Sequence, residues 1–376
     1  MKTIKFGIIG CGLMGKEFAG AAGRWMHLNE TVCRPEIVAI CDPNPAALEW
    51  FKERVHTIRY CFTDYRELLA CGEVDAVYCA VPHHLHRQIY VDIINAKKNF
   101  LGEKPFGIDR EANAAILKAL DENPGVVARC ASEFPYYPAC QKLIGWIREG
   151  RFGRIIEASA GLNHSSDMDL SKPLNWKRRI ETNGEYGCMG DLGIHTEHIP
   201  LRMGWKPRNV YAKLSNIVTE RPDGAGGMAP CETWDNALLM CDMQEPDGNT
   251  FPMTFEMKRM KPGATNDWYL EVHGLQCSAR FTTEDPNAFY YTEAVGKEQA
   301  WCRIVVGSKP LFPTATAGIF EFGFTDAMLQ MWAAFVQELS GEPVEFGCFR
   351  PEETRISHAM HTAALESQRA GKAIDL

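Results

Sequence analysis

The feature that most constrains this chain is a glycine-rich turn that joins an apolar run to a helical pattern. Residues Lys5–Gly10 have the composition of a strand, and Gly10-Cys-Gly12-Leu-Met-Gly15 follows at its end. Gly10 permits a tight turn, Gly12 lets a diphosphate approach the backbone, and Gly15 lets helix and strand pack closely. The motif predicts the first strand–helix unit of a doubly wound parallel sheet, with an anion site at the N-terminus of the helix.

The rest of the first third of the chain continues this alternation of strands and helices. The predicted strands after the first are Ile37–Asp42, Ala76–Pro82, Asn99–Glu103 and Val126–Ala131, and helical spacing covers Lys16–Leu28, Pro45–Glu53 and Arg110–Glu122. Such alternation is typical of an α/β Rossmann domain with a doubly wound parallel sheet. We expect this dinucleotide-binding domain to span residues 1–130.

The pattern changes after residue 130 to longer, alternating runs separated by turn signals. The predicted strands are Arg154–His164, Asn209–Val218, Asp235–Gln244, Phe251–Met260, Trp268–Phe281, Ala288–Val295 and Ala300–Gly307, and two helical patterns, Phe324–Leu339 and Pro351–Ala370, close the chain. Successive strands with short turns predict an open, mainly antiparallel sheet. We therefore expect an α+β substrate-binding and oligomerisation domain over 131–376, with the helix at 351–370 a candidate to pack back on the first domain.

Asp42 bears on which dinucleotide the glycine turn accepts. Asp42 lies at the end of the second predicted strand, 27 positions after Gly15. This separation exceeds the usual value of about 20, and we attribute the additional residues to a loop around residues 29–35. A carboxylate there accepts hydrogen bonds from the ribose hydroxyls and repels a 2′-phosphate. The sequence predicts NAD as the cofactor in preference to NADP, bound by Gly10, Gly12, Leu13, Met14, Gly15 and Asp42.

Composition excludes several classes of function. The 376 residues carry a net charge of −8, which disfavours a nucleic acid or an anionic membrane as the main partner. No apolar run approaches the length of a membrane span, and the N-terminal residues run directly into the glycine turn as a strand would. Fourteen cysteines without a Cys-x-x-Cys pair are typical of buried thiols in a reducing compartment. We expect a cytoplasmic protein.

Four further segments carry a family resemblance. They are Ala80-Val-Pro82-His-His-Leu-His86, Glu103-Lys104-Pro105, Pro173-Leu-Asn-Trp176-Lys177 and Asp191-Leu-Gly-Ile-His195. With these motifs the chain resembles the glucose–fructose oxidoreductase, inositol dehydrogenase and MocA (Gfo/Idh/MocA) family over essentially its full length. The resemblance implies NAD(P)-dependent oxidation or reduction of sugars or cyclitols. It also implies oligomer contacts through the C-terminal sheet, and we expect a homodimer or homotetramer.

The same resemblance assigns residues to the cofactor pocket and shows two departures. It implies cofactor contacts from Pro82, His83, His86, Glu103 and Lys104. Glu133 stands where many relatives have a basic residue, and the glycine run before Asp191 is interrupted. Because relatives contact the substrate at both places, the choice of sugar is not transferable.

Three residues have the chemistry needed to oxidise a secondary alcohol. The reaction needs a base for the hydroxyl proton and a donor or cation for the developing alkoxide. Lys104 follows a parallel strand at the edge where such sheets present ligands. Asp191 and His195 are four residues apart and share one face of a helix. We expect His195 to take the proton, with Asp191 as its partner or as a second contact to the substrate, and Lys104 to bind the reacting oxygen. The roles of Lys104 and His195 are interchangeable at this level.

Other histidines offer competing interpretations. Asp191, His195 and His198 have a spacing seen in divalent-metal sites, but the other ligand motifs are missing and hydride transfer needs no metal, so no metal site is expected. His358 and His361 lie one turn apart on the last predicted helix, which indicates a polar face.

Substrate contacts are expected from loops that follow the predicted strands. Trp176 has an apolar face suited to stacking on a sugar ring, and polar side chains suit the hydroxyls. The predicted substrate-binding residues are Glu133, Tyr136, His164, Trp176 and Lys177.

Three functions fit these residues. The first is a sugar, glycoside or cyclitol dehydrogenase, acting for instance on the 3-hydroxyl of a glucoside. The second is a glycosidase that oxidises its substrate transiently with bound NAD, eliminates and reduces again. The third is a non-catalytic sensor of a sugar or dinucleotide on the same fold, which would not need Lys104, Asp191 and His195 together. The sequence leaves open the substrate, the reaction direction and the oligomeric state.

Overall fold

The computed structural model describes residues 2–293, 298–307 and 309–376. The chain separates into two compact units, each built from more than one stretch of sequence. The first unit comprises Met1–Gly107, Glu111–Tyr136 and Ser308–Glu352, and the second comprises Ile108–Arg110, Tyr137–Gly307 and Glu353–Leu376. The predicted division into domains at residue 130 stays a prediction.

The first unit contains a six-stranded parallel sheet. Its strands are β1 (Lys2–Ile9), β2 (Cys33–Cys41), β3 (Tyr60–Phe62), β4 (Ala76–Cys79), β5 (Asn99–Gly102) and β6 (Ala128–Cys130), in the spatial order β3-β2-β1-β4-β5-β6. Its helices are α1 (Leu13–Gly23), α2 (Pro45–Arg54), α3 (Tyr65–Ala70), α4 (His86–Asn95), α5 (Arg110–Asp121) and α9 (Phe324–Leu339). All five strand pairs are parallel, which confirms the predicted Rossmann sheet.

Aromatic packing binds α9 into the first unit. The Trp332 ring stacks on Phe18 of α1 with their centroids 3.7 Å apart, and it meets Phe6 of β1 edge-on at 5.9 Å. All three side chains are fully buried. A helix more than 180 residues after the last parallel strand therefore completes the hydrophobic core of the first unit, which the local sequence pattern does not reveal.

The second unit is built on a ten-stranded sheet. Its strands are β7 (Ile155–Asn163), β8 (Lys206–Pro207), β9 (Asn209–Ser215), β12 (Asn236–Gln244), β13 (Thr250–Lys258), β14 (Asp267–Gly274), β15 (Cys277–Thr282), β16 (Ala288–Glu293), β17 (Cys302–Val305) and β18 (Ile374–Asp375), and a separate hairpin pairs β10 (Glu220–Pro222) with β11 (Met228–Pro230). Its helices are α6 (Pro138–Arg148), α7 (Ile180–Asn183), α8 (Cys188–Arg202) and α10 (Pro351–Ala370). The only parallel pair among these described strands is β7 with β13, so the prediction of a mainly antiparallel sheet is confirmed.

Two predicted elements differ from the structure. The run Trp268–Phe281, predicted as one strand, forms the two strands β14 and β15, joined by a turn at Leu275 and Gln276. A Cβ at Gly274 would lie 2.2 Å from the carbonyl oxygen of Phe152, so only glycine fits where the chain leaves β14. The predicted strand Ala288–Val295 is seen as Ala288–Glu293, and residues 294 and 295 lie outside the described residues.

The alternating burial of the sheet explains where α8 lies. In β12, every second side chain from Ala237 to Met243 is buried, and the residues between them are exposed or half-buried. Because alternate side chains point to opposite faces, one face of the sheet is apolar and covered while the other carries the exposed residues. Helix α8 packs on β7 and β13, and its residues Cys188–Leu201 are all buried.

Candidate active site

The glycine turn in the first unit has the geometry of an anion cradle. Gly10 has φ +96°, and a Cβ there would lie 2.3 Å from the carbonyl oxygen of Ala80; a Cβ at Gly15 would lie 2.5 Å from the carbonyl oxygen of Gly10. Both positions therefore require glycine. A Cβ on Gly12 would meet nothing within 4 Å among the described residues, and no described side chain caps the first turn of α1. The N–H groups at the start of α1 are open to a diphosphate.

Asp42 is fixed beside this turn. One carboxylate oxygen accepts a hydrogen bond from the N–H of Cys11 at 2.9 Å, and the other accepts from the N–H of Asn44 at 2.9 Å. A carboxylate has about four acceptor positions, so further hydroxyl donors can be accommodated. The open turn and the oriented carboxylate fit a dinucleotide with free ribose hydroxyls. Leu13 is 75% exposed at the same turn, and Met14 is half-buried.

His86 joins two loops of the first unit. Its Nε2–H donates to the carbonyl oxygen of Val81 at 3.0 Å, and its Nδ1 accepts from the N–H of Gly107 at 3.3 Å. The ring is fully buried and stacks on Tyr90 at 4.7 Å. Burial lowers the pKa of His86 to about 3, against the opposing effect of the Val81 carbonyl, so the imidazole is neutral. His86 thereby cross-links the loop after β4 to the loop that follows Lys104, and its neighbour His83 is also buried.

Glu103 is held by two fully buried tyrosines, Tyr78 and Tyr90. The Tyr78 hydroxyl donates to its carboxylate at 2.7 Å, and the Tyr90 hydroxyl donates to its backbone carbonyl at 2.8 Å. Asn113 holds the next turn by donating to the carbonyl oxygen of Phe106 at 3.0 Å. The segment that carries Lys104 is therefore anchored on both sides. Sequence analysis missed Tyr78 and Tyr90 because each lies in an apolar strand or helix pattern.

Glu133 is a buried carboxyl at the edge of the sheet where Lys104 also lies. Gly102 and Cys130 are register partners at the ends of β5 and β6, and both residues follow shortly after them. Burial and, to a smaller extent, the nearby Glu103 carboxylate raise the pKa of Glu133 to about 8, against the opposing effects of a backbone hydrogen bond and the Lys104 ammonium. Glu133 therefore favours the protonated form near neutral pH.

Tyr136 also lies in the first unit and is fully buried. Its hydroxyl donates to the Cys348 thiol at 3.6 Å, and its ring meets Phe346 edge-on at 6.2 Å. The structure thus gives this residue a packing role in the core, and its predicted contact with a substrate stays a prediction.

In the second unit, Asp191 and His195 lie one turn apart on α8, as their spacing predicts. Both are buried, with exposed fractions of 4% and 7%. The helix begins after Gly187, which has φ +57° and whose Cβ would clash with the backbone of Trp234. The Trp268 indole N–H donates to the carbonyl oxygen of His195 at 2.8 Å. Packing from the sheet therefore fixes the helix turn that carries His195.

Asp191 forms ion pairs with two cations. Its carboxylate lies 2.9 and 3.1 Å from the Lys177 ammonium and 3.2 Å from Nε of Arg259. Arg259 is almost fully buried and was not singled out by the sequence, because it lies beside Lys258 near the end of the predicted strand Phe251–Met260. A charged residue at the end of an apolar alternating run is the signal that could have found it. The role of Asp191 as an orienting partner of His195 stays a prediction.

The turn that carries Trp176 and Lys177 is ordered by its own polar contacts. The Asn175 side chain accepts from the N–H of Lys177 at 2.9 Å, and the Thr182 hydroxyl donates to the carbonyl oxygen of Trp176 at 2.6 Å. Arg178 is fully buried and pairs with Asp235 and Asp167. These contacts hold Lys177 toward Asp191.

The remaining predicted histidines have defined places in the second unit. His164 follows β7, and its Nδ1 lies 3.1 Å from the carbonyl oxygen of Thr265. The prediction of a polar face at His358 and His361 is wrong, because both are 99% buried. His361 Nε2 lies 2.7 Å from the Glu197 carboxylate on α8, next to Gly193, where a Cβ would lie 2.5 Å from the same nitrogen.

Two features are absent from the part of the chain that the structure describes. It contains no group of three or more His, Cys, Asp or Glu side chains arranged to hold a metal ion. It also contains no helix that is both long and apolar enough to cross a membrane.

Family models and known relatives match both parts of the chain. A family model described as "Oxidoreductase family, NAD-binding Rossmann fold" matches residues 4–129, and the GFO/IDH/MocA C-terminal domain model matches residues 140–280. The levoglucosan dehydrogenase of Pseudarthrobacter phenanthrenivorans is 26% identical over 298 residues, which cover 76% of this chain and 75% of the relative. The 2,7-anhydro-N-acetylneuraminate hydratase of Escherichia coli is 25% identical over 288 residues, covering 75% and 68%. The glucose-6-phosphate 3-dehydrogenase of Bacillus subtilis is 26% identical over 216 residues, covering 57% and 55%.

Solved structures show the same fold. A levoglucosan dehydrogenase in complex with NADH and L-sorbose superimposes with a TM-score of 0.87 at 21% identity, covering 100% of this chain and 99% of the other. An oxidoreductase domain protein from Kribbella flavida superimposes with a TM-score of 0.89 at 20% identity over the same shares. With both of its family models matched in order along the sequence, the chain belongs to the GFO/IDH/MocA family of NAD-binding oxidoreductases.

Proposed function

We propose that this protein transfers a hydride between NAD and a secondary ring hydroxyl of a sugar, glycoside or cyclitol, such as the 3-hydroxyl of a glucoside. The observation that carries the proposal is the open N-terminus of α1 beside an oriented Asp42, in a chain that also holds Asp191 and His195 on one buried helix face. Relatives named for levoglucosan and glucose 6-phosphate support a polyhydroxylated cyclic substrate.

The cofactor would be held by the glycine turn. Bound NAD supplies the hydride acceptor or donor for the carbinol carbon. The N–H groups at the start of α1 bind the diphosphate, and Asp42 accepts hydrogen bonds from the ribose hydroxyls. Because a 2′-phosphate would meet the Asp42 carboxylate, NAD is preferred over NADP. We propose further cofactor contacts from Leu13, Met14, Pro82, His83, His86, Glu103 and Lys104.

Proton transfer is assigned to Lys104 and His195. One of the two takes the hydroxyl proton during oxidation, and the other donates a hydrogen bond to the same oxygen. An imidazole ring suits this role because one ring nitrogen can accept a proton while the other donates. Asp191 provides a fixed negative charge on the same helix face.

Substrate recognition is assigned to the five residues predicted for it from the sequence. Trp176 stacks on the apolar face of the sugar ring, while Glu133, Tyr136, His164 and Lys177 bind hydroxyl groups. Glu133 in its protonated form is both a donor and an acceptor, which suits a hydroxyl. The chain is proposed to work in the cytoplasm as a homodimer or homotetramer.

A second function shares these residues and is favoured by one comparison. The relative from Escherichia coli is named a hydratase. It covers 75% of this chain, nearly as much as the 76% covered by the levoglucosan dehydrogenase. In a redox-assisted glycosidase, bound NAD oxidises a ring hydroxyl to a ketone, the aglycone is eliminated as an alcohol, water adds in its place, and the reduced cofactor returns the hydride to the ketone, so the cofactor shows no net change. Whether reduced cofactor accumulates therefore has to be measured.

A substrate screen tests the proposal. Purified protein with NAD is offered a panel of free sugars, glycosides, anhydrosugars and cyclitols, while near-ultraviolet absorbance and release of the aglycone are followed together. Accumulation of reduced cofactor with one sugar class supports the dehydrogenase. Aglycone release at constant absorbance identifies the redox-assisted glycosidase, and tight sugar binding without either signal identifies a sensor.

A further inference from the structure

Arg259 is a buried arginine immediately after β13. Only 2% of the residue is exposed, and its backbone N–H donates to the carbonyl oxygen of Asp235 at 3.0 Å. An isolated charge in such a place is costly, so a buried arginine persists only when its donors are satisfied. The hydrogen-bond partners of its guanidinium therefore indicate the role of Arg259.

The guanidinium of Arg259 connects three segments. Nε donates to the Asp191 carboxylate at 3.2 Å, and Nη1 donates to the carbonyl oxygen of Lys177 at 3.3 Å. Nη2 donates to the Asn183 side chain at 3.4 Å and to the carbonyl oxygen of Gly187 at 3.3 Å. The Trp176–Arg178 turn, the end of α7 and the residue before α8 thus converge on one planar group. A lysine has a single ammonium and cannot reproduce this fork.

Asp191 links the buried Arg259 to Lys177, whose ammonium is accessible to solvent. The side chains of Arg259 and Asp191 are 2% and 5% exposed, whereas that of Lys177 is 39% exposed. The carboxylate therefore has Arg259 on its buried side and the Lys177 ammonium on its accessible side. Arg259 also holds the backbone of Lys177 itself.

We propose that Arg259 is a positioning residue for substrate binding: it fixes Asp191 and the Lys177 turn so that the Lys177 ammonium meets a substrate hydroxyl in one orientation. This inference rests on the proposed function for its kinetic consequence but not for its structural one. Arg259 itself touches neither substrate nor cofactor in this scheme. Its removal should therefore affect sugar turnover and the order of the 176–191 segment, and leave NAD binding by the first unit intact.

The test compares two variants with a matched control. Arg259→Met removes the fork, and Arg259→Lys keeps a charge near Asp191 without it. Arg202→Met is the control, because Arg202 is also a largely buried arginine that pairs with a carboxylate, Glu353, and lies on the last turn of α8. Each variant is assayed for NAD affinity, for kcat and KM with the best sugar, and for amide hydrogen exchange followed by mass spectrometry.

The expected results separate positioning from general destabilisation. For Arg259→Met, kcat/KM for the sugar should fall about 10- to 100-fold, the scale of a misplaced binding group, with NAD affinity unchanged. Amides of residues 176–191 should exchange faster than in the parent protein. Arg259→Lys should recover part of both properties. Arg202→Met should lower the melting temperature but leave kcat/KM of the folded protein and exchange at 176–191 as in the parent.

Two results would overturn the proposal. One is unchanged exchange at residues 176–191 in a folded Arg259→Met or Arg259→Lys protein. The other is kcat/KM within about threefold of the parent for both variants. If Arg259→Met does not fold, Arg259→Lys decides by the same criteria. If the parent protein turns over no sugar, the proposed function fails, and hydrogen exchange still decides the role of Arg259.

Discussion

The carboxylate of Asp42 accepts a hydrogen bond from the backbone N–H of Cys11, the residue between the first two glycines of the nucleotide turn, at a distance of 2.9 Å. The end of β2 and the turn after β1 are therefore joined directly. The Asp42 side chain fixes the shape of the glycine turn, and we propose that it also accepts hydrogen bonds from the ribose of NAD.

The first prediction concerns cofactor selectivity. Asp42→Ala should weaken NAD binding and narrow the preference for NAD over NADP, because it removes both the ribose acceptor and the repulsion of a 2′-phosphate. Titration calorimetry with both dinucleotides measures the ratio of affinities. Asp42→Asn is the matched variant, since its amide keeps one acceptor for Cys11 but loses the charge. Equal affinities for NAD and NADP in the parent protein would contradict the assignment.

The second prediction concerns stability in acid. Burial holds the pKa of His86 at about 3, below the ordinary value of 6.5, so the unfolded chain binds a proton that the folded chain does not. The contribution of neutral His86 to the free energy of unfolding is fully present above pH 6.5. It is lost as the pH falls toward 3, by at most about 1.4 kcal/mol per pH unit. His86→Gln, whose amide can still bridge Val81 and Gly107, should show a shallower decline. If the free energies of unfolding of the two proteins declined equally with falling pH, His86 would not be held in its neutral form in the folded protein.

The third prediction has the opposite sign and concerns Glu133. Its pKa is raised to about 8 from 4.5, chiefly by burial, so the folded chain keeps a proton that the unfolded chain loses. The contribution of this group is complete below pH 4.5 and declines as the pH rises toward 8. Glu133→Gln, which cannot ionise, should therefore gain stability relative to the parent across that range. Denaturant unfolding at several pH values measures it, and a constant difference would show that Glu133 is ionised in the folded protein.

The fourth prediction concerns assembly. Tyr211, Leu238 and Met240 are 45%, 40% and 52% exposed on the uncovered face of β9 and β12, where Met240 stands opposite Tyr211. An apolar patch on a sheet face commonly forms a symmetric contact. Met240→Glu should shift the protein to smaller species in light scattering at micromolar concentration. The control, Leu275→Glu, places the same charge on an exposed turn and should not; a parent protein that is monomeric at this concentration would sink the prediction.

The sequence predicted the parts of the fold that depend on local patterns. The glycine turn, five of the six parallel strands and both C-terminal helices follow from spacing that is visible over ten to twenty residues. The hairpin within Trp268–Phe281 was missed because Gly274 is the single turn residue at its Leu275-Gln276 turn, with no Pro, Asn or Asp beside it. The strand β3 was missed because Tyr60–Phe62 is three residues long and largely exposed.

The candidate site was only partly predictable for a different reason. Lys104, Asp191 and His195 stand in motifs, but the groups that hold them do not. Arg259 is 68 positions after Asp191, and Tyr78 is 25 positions before Glu103. Such supporting contacts depend on which strands become neighbours, and a pattern of apolar residues contains no information about partners at that distance. The contact of His361 with Glu197 was not predicted, because Glu197 lies on another helix, 164 positions away in the sequence.

The fifth prediction tests the central claim, that Lys104 and His195 perform proton transfer during hydride transfer to NAD. Lys104→Ala and His195→Ala should each reduce the chemical step by roughly 10²- to 10⁴-fold while NAD affinity is kept, and the double variant should be little worse than the poorer single one. Asp191→Ala should be milder if it only orients its neighbours.

The deciding measurement is single-turnover hydride transfer, followed by near-ultraviolet absorbance on the folded fraction of Lys104→Ala, His195→Ala and the parent with the best sugar. Because proton transfer is assigned to both residues, both variants should show a slow chemical step at saturating NAD and sugar. A rate within about threefold of the parent for Lys104→Ala, together with a lowered melting temperature, would contradict this expectation and assign the residue a structural role.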